Sequence, residues 1–262
     1  MSSRVPTTPT PDSRGIQRRT VLRAAGGGVG LWFLGTVGGV RYAVEAAADA
    51  IDGGSLLPGN VPKFVTPLIK PPAMPMSNGS NKNVDKYNIA VRQFDQQILP
   101  ADEYPPTTVW SYGSVDFPGT FNYPSFTIEA MRKKPTEITW INGLVDADGN
   151  YLPHLLPVDP TLHWANPSGG PAGRDTRPQF EETPGSYDGP VPIVTHVHGA
   201  HTTEDSDGYP EAWYLPDANN IPAGYATTGT FYDYFDAKYK RRWAPGTATF
   251  TYVNEQRATT LW

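Results

Sequence analysis

The chain has 262 residues with 28 prolines, 26 glycines, 12% aromatic residues, no cysteine and a formal net charge of −5. That length suffices for one or two domains with a sizeable core, and the proline content excludes a helical bundle, because proline breaks helix interiors and central strands. Without cysteine there are no disulfides or thiolate metal ligands among these residues, and without a Lys/Arg block beyond the first residues the chain lacks the electrostatic footprint of nucleic-acid binding.

The N-terminus reads as an export signal. Gln17-Arg18-Arg19-Thr20-Val21-Leu22-Arg23 precedes a glycine-rich apolar stretch from Ala24 to Val40, and small residues follow at Ala46-Ala47-Ala48. A basic head, an apolar middle and a small-residue end describe a signal peptide. The arginine pair resembles a twin-arginine signal, with Gln17 where that pattern usually has Ser or Thr. A membrane anchor is the competing reading, but 17 glycine-rich residues are marginal against the roughly 20 apolar residues of a span. The expectation is a signal over residues 1–48, export to the periplasm, cell surface or exterior, and no stable membrane span once the signal is removed. Residues 49–84 carry Gly53-Gly54, Pro58-Gly59, Pro71-Pro72 and Pro75, which predict an extended linker.

Strand patterns begin at Tyr87, Ile89 and Val91, which alternate with Asn88, Ala90 and Arg92. Further strands are predicted over 107–112, 126–130, 137–142, 191–198, 247–254 and 258–262. The fourth of these seven has Ile138 and Trp140 on one face and Thr139 and Ile141 on the other. Long loops fill 143–190 and 199–244, and loops of that length are usually functional. One helix is predicted inside the second loop, where Phe231, Phe235, Tyr239 and Trp243 recur every four residues as an aromatic face packing onto the sheet. Short strands without βαβ alternation indicate an all-β antiparallel sandwich or barrel.

Chemistry concentrates at His196-Val197-His198-Gly199. Histidines at i and i+2 of a strand project from one face, and neutral imidazole is a common ligand for copper, zinc and iron. The spacing alone leaves a ligand pair and ordinary strand histidines equally open. His201 invites a binuclear zinc reading, H-x-H-x-D-H, but Ala200 stands where the aspartate belongs. A (β/α)8 hydrolase reading fails for want of helical crossovers. His154 and His163 lie in a proline-rich loop with no second ligand at strand spacing.

The flanking words add a resemblance. Val194-Thr195-His196-Val197-His198-Gly199, Asp205-Ser206-Asp207-Gly208-Tyr209-Pro210-Glu211-Ala212-Trp213 and Ala258-Thr259-Thr260-Leu261-Trp262 resemble the N-terminal cupredoxin domain of multicopper oxidases. The bilirubin oxidase and spore-coat laccase branch is the nearest. Pro106 to Gly113, Trp140-Ile141-Asn142 and His154 to Asp159 agree with it, so the resemblance covers residues 85–262. The stretch Phe117 to Phe126 is longer than the family's tight turn.

The resemblance implies a cupredoxin-like Greek-key sandwich or barrel over 85–262, and copper as cofactor. His196 would be a type 2 copper ligand and His198 a type 3 ligand, while His154, His163 and His201 match no family ligand. Asp207 matches an acidic position on the solvent path, where it would deliver protons. Its competing reading is a turn residue before Gly208. The implied reaction couples one-electron oxidations of a small phenolic, bilirubin-like or metal-ion reductant to four-electron reduction of dioxygen to water. In the family Trp262 stands directly before the second H-x-H pair, and the type 1 copper uses a cysteine that these residues lack. The expectation is therefore an incomplete first domain, truncated before that second pair, poorly soluble and without oxidase activity by itself. A non-catalytic exported copper-binding cupredoxin module is the alternative.

Overall fold

The structure is a computed structural model. It describes residues 32–37, 40–45, 56, 59, 61–161, 165–181 and 184–256. Most of the proposed export signal, His163 and the last predicted strand, 258–262, lie outside the described residues. The chain divides into two compact units, residues 1–60 and 61–262. In the first, β1 (Trp32–Val37) pairs antiparallel with β2 (Val40–Glu45), from Trp32 opposite Glu45 to Val37 opposite Val40.

The second unit is built on a four-stranded sheet. Its strands are β3 (Asp85–Gln96), β4 (Thr107–Ser114), β5 (Thr136–Asn142) and β6 (Thr247–Tyr252), in the order β4-β3-β5-β6. Few helical residues accompany them, in keeping with a cupredoxin-like β fold. One pairing departs from the antiparallel expectation: β3 and β5 run parallel, with Ile89 opposite Trp140. A parallel pair needs a crossover rather than a hairpin, and β4 with the segment 115–135 provides it.

Alternation decides which face is covered. In β5 every second residue from Thr136 to Asn142 is buried, and in β6 Ala248, Phe250 and Tyr252 are buried. Tyr87, Ile89, Ile138, Trp140, Phe250 and Tyr252 form one core with Met74, Tyr214, Tyr232 and Phe235. Met74 therefore anchors the proline-rich stretch that the sequence marks as surface linker. Within the core the Trp140 indole N–H donates to the Tyr252 hydroxyl at 3.1 Å.

Two segments predicted as strands are not strands. Over 126–130 only Thr127 forms a bridge, to Ala73, and Pro72 offers no N–H to extend it backwards. Over 191–198 only Ile193 forms a bridge, to Tyr214, with both N–H to O distances at 3.0 Å. Pro190 and Pro192 remove the donors from the opposite edge of this segment, so no ladder can form there either. It is tethered instead by Asn142, buried at the end of β5, whose Nδ2 donates to the Val191 carbonyl at 2.8 Å and the Tyr214 carbonyl at 3.1 Å.

A single turn, α1 (Gly170–Gly173), precedes a longer helix, α2 (Thr230–Tyr239). The N-terminal amides of a helix lack intrahelical partners. Here the Asp175 carboxylate accepts the Thr230 N–H at 2.7 Å and places a negative charge at the positive end of the helix dipole. The C-terminal end closes at Lys240, whose positive φ of 52° lets its N–H reach the Asp236 carbonyl. The helix covers three of the four aromatics of the predicted period and ends before Trp243, where the chain reverses, and its buried face is Tyr232 and Phe235, at i and i+3. Phe231 and Tyr239 are exposed.

Phe250 is 1% exposed at the centre of the core and Leu68 is 99% exposed. Phe250→Ala should cost about 3–5 kcal/mol in denaturant unfolding, the range for emptying a large buried aromatic site. Leu68→Ala should stay within about 0.5 kcal/mol. Similar costs at both sites would contradict the assignment of the covered sheet face.

Candidate metal centre

His196 and His198 lie at the end of the tethered segment, both exposed, with ring centroids 6.1 Å apart and planes at 80°. The i, i+2 spacing therefore brings both imidazoles to one place even without a strand ladder. Immediately beyond, Gly199 has a φ of 77° and the Ala200 N–H turns back to the Val197 carbonyl at 3.0 Å.

The second wall of the site is the turn Glu204–Ser206 followed by Asp207 and Gly208. The Asp207 backbone carbonyl lies 2.5 Å from His196 Nδ1. A carbonyl can only accept, so Nδ1 carries a proton and Nε2 is the ring nitrogen left to face a metal. Such a bond on one ring nitrogen fixes the tautomer and orientation of metal-binding histidines. The Asp207 carboxylate is 3.7 Å from the same Nδ1, with its side chain half exposed.

Gly208 makes this approach sterically feasible. Its φ is 76°, and a Cβ there would fall 2.2 Å from the Thr195 carbonyl oxygen and 3.0 Å from His196 Cβ. Only a residue without a side chain lets the two backbones lie so close. The turn is also pinned to the sheet: the Thr251 N–H donates to Ser206 Oγ at 2.9 Å, and Thr202 Oγ1 donates to the Thr251 carbonyl at 3.0 Å. On its outer side Glu204 meets Lys238 and the Tyr239 hydroxyl, and the hydrogen bond from Lys238 holds the Glu204 carboxyl below its usual range. Asp205, buried, pairs with Arg241 just beyond α2.

A cavity of about 700 Å³ opens beside His196, and His154, Tyr187, Pro192 and Trp213 also line it. His154 packs against Trp110 at 5.8 Å and Tyr187 at 6.1 Å between ring centroids, and burial lowers its pKa, which favours the neutral ring. Across the core, burial pushes the Tyr252 hydroxyl up to about 12.

Of the residues singled out by sequence, His196, His198 and Asp207 come together. His201 is exposed and has no hydrogen bond among the described residues, and His154 reaches the cavity beside His196. Among the described residues no group of three or more His, Cys, Asp or Glu side chains forms a metal-ligating set. The histidines suit copper as donors: two nitrogen ligands, one already oriented through its far nitrogen. Sequence reasoning missed Asn142, the Asp205–Arg241 pair and the close packing at Gly208. The signal for the last two was the Asp-Ser-Asp-Gly run, which fits a solvated turn equally well, and Asn142 stood only as part of the Trp140-Ile141-Asn142 resemblance.

No family model matches the chain. It is 30% identical over 204 residues to a laccase of Bacillus stratosphericus, covering 78% of this chain and 29% of that protein. Against a laccase of Haloferax volcanii it is 32% identical over 192 residues, covering 72% and 26%. A multicopper oxidase LPR1 homolog of Oryza sativa is 35% identical over 137 residues, covering 52% and 19%. The chain thus spans less than a third of the length of the curated relatives it matches. Similarity across some three-quarters of its residues to proteins so named establishes that the chain belongs to the multicopper oxidase family.

Proposed function

We propose that this chain supplies copper ligands to an exported oxidase that uses dioxygen as electron acceptor and a small phenolic, bilirubin-like or metal-ion reductant as donor. His196 holds a type 2 copper through Nε2, and His198 holds one copper of the type 3 pair. The observation that carries this reading is the Nδ1 bond of His196 to the Asp207 carbonyl at 2.5 Å, which leaves the coordinating nitrogen free beside a second imidazole. Relatives named laccase and multicopper oxidase support the reaction class.

Copper, when bound, supplies the one-electron steps by which four substrate oxidations match the reduction of one dioxygen to water. The chain's own residues orient and protonate. The Asp207 carbonyl keeps the proton on His196 Nδ1, so the ring cannot turn its other nitrogen to the metal. The half-exposed Asp207 carboxylate, 3.7 Å from that ring, passes protons from solvent towards the site. Both roles fall to one residue, with the turn holding its backbone and water reaching its side chain. Export over the arginine-pair signal accords with a protein that takes up its metal and folds before crossing a membrane. No helix among the described residues is long and apolar enough to cross one.

In the intact gene product grown with copper, His196→Ala should remove the type 2 electron paramagnetic resonance signal and lower the copper content. His198→Ala should disturb the type 3 absorption and leave the type 2 signal present. Full copper content and unaltered oxygen uptake in both variants would refute the assignment.

Gly208→Ala tests the close packing. It should cost more stability than Gly224→Ala, since Gly224 also has a positive φ but nothing within 4 Å of an added Cβ. The shared backbone penalty is about 1–2 kcal/mol, and the excess at Gly208 measures the collision with Thr195. Equal costs would contradict the contact.

A further inference from the structure

The turn that carries the Asp207 carbonyl has little regular structure of its own, and besides the Ser206 bond to β6 one buried charge holds its inner side. Asp205 is 2% exposed. Its Oδ2 pairs with the Arg241 guanidinium, while the Arg241 Nε has no hydrogen-bond partner among the described residues. Arg241 is placed there by the end of α2. The left-handed residue Lys240 reverses the chain, and the Arg241 N–H returns to the Asp236 carbonyl at 3.1 Å. The Trp243 N–H then donates to Asp236 Oδ1 at 2.9 Å, which fixes the reversal.

We propose that the Asp205–Arg241 ion pair is a positioning device that sets the tautomer of His196, a role whose purpose rests on the copper reading above. A buried carboxylate without a counter-charge is strongly disfavoured. If Arg241 is removed, Asp205 gains most by swinging out to water, and the three-residue turn Glu204–Ser206 must move with it, giving up the weaker neutral bond between the Thr251 N–H and Ser206 Oγ. Asp207 follows immediately, so its carbonyl leaves the His196 ring. Nδ1 then loses its acceptor, and the proton is free to move to Nε2, the nitrogen that must stay bare to bind a metal. The outer contacts of Glu204 with Lys238 and Tyr239 cannot substitute, because they lie on the exposed side of the turn. The helix α2 and the metal ligand are thus linked through one salt bridge and two peptide units.

The test is a long-range proton–nitrogen correlation spectrum of the metal-free, nitrogen-15 histidine-labelled full chain, with the His196 signal assigned by His196→Gln. Wild type should show the Nδ1–H tautomer. Arg241→Ala should shift His196 towards Nε2–H, Arg241→Lys should restore Nδ1–H, and Asp205→Asn combined with Arg241→Ala should also retain it, since no buried charge then needs a partner. An Nε2–H ring in wild type, or an unchanged Nδ1–H ring in a folded Arg241→Ala chain, overturns the proposal. Should Arg241→Ala fail to fold, the lysine and double variants carry the same test, and Nε2–H in either overturns it. Titration with Cu(II) should show affinity lowered roughly 10–100-fold in Arg241→Ala, the range for losing support of a metal-bound histidine. A wild-type chain with the Nδ1–H tautomer that binds no Cu(II) would sink the copper reading and leave the positioning role standing.

Discussion

The bond between His196 Nδ1 and the Asp207 carbonyl, 2.5 Å long, joins the two stretches of chain on which the site depends. Around it the fold supplies restraints from three directions. Asn142 at the end of β5 fastens Val191 and Tyr214, which sets the start of the segment leading to His196. β6 fastens Thr202 and Ser206, which sets the turn on the other side. The end of α2 fastens Asp205 through Arg241. The sheet and the helix therefore share one task at this edge, which is to hold two irregular backbone segments at a separation that only a glycine at 208 permits.

This arrangement explains why the histidine segment need not be a strand. A ladder would fix the backbone through repeated N–H to carbonyl pairs, but Pro190 and Pro192 cannot donate. Side-chain amide, hydroxyl and carboxylate bonds take over instead, each specific to one position. Such fastening leaves the imidazole edges exposed and the ring nitrogens uncommitted except where the Asp207 carbonyl meets them. Rigid support behind ligands with an open front is the general requirement for a metal site that admits a small reactant.

The sheet could be read from the chain because alternation carries it: β3, β4, β5 and β6 all fall on predicted strands, and the faces assigned to Ile138 and Trp140 hold. Alternation failed at 126–130 and 191–198, where apolar pattern persisted but neighbouring prolines removed the donors. The helix was legible from its aromatic period. Its buried face was not, because Tyr232 contributes to the core while Phe231 stays at the surface, and both are aromatic. At the site, the H-x-H spacing and the Asp-Ser-Asp-Gly run pointed to His196, His198 and Asp207. Sequence could not show that the backbone of Asp207, rather than its carboxylate, makes the close contact. Nor could it pair Asp205 with Arg241, which lie 36 positions apart and meet only once α2 has reversed the chain.

Anomalous diffraction at the copper edge, on crystals of the copper-loaded intact gene product, decides between the ring orientations. A copper peak about 2.0 Å from His196 Nε2, with Nδ1 still on the Asp207 carbonyl, is the expected result, at the usual distance for a metal on imidazole nitrogen. A peak against Nδ1, or fully occupied copper sites elsewhere with none touching His196 or His198, would contradict it.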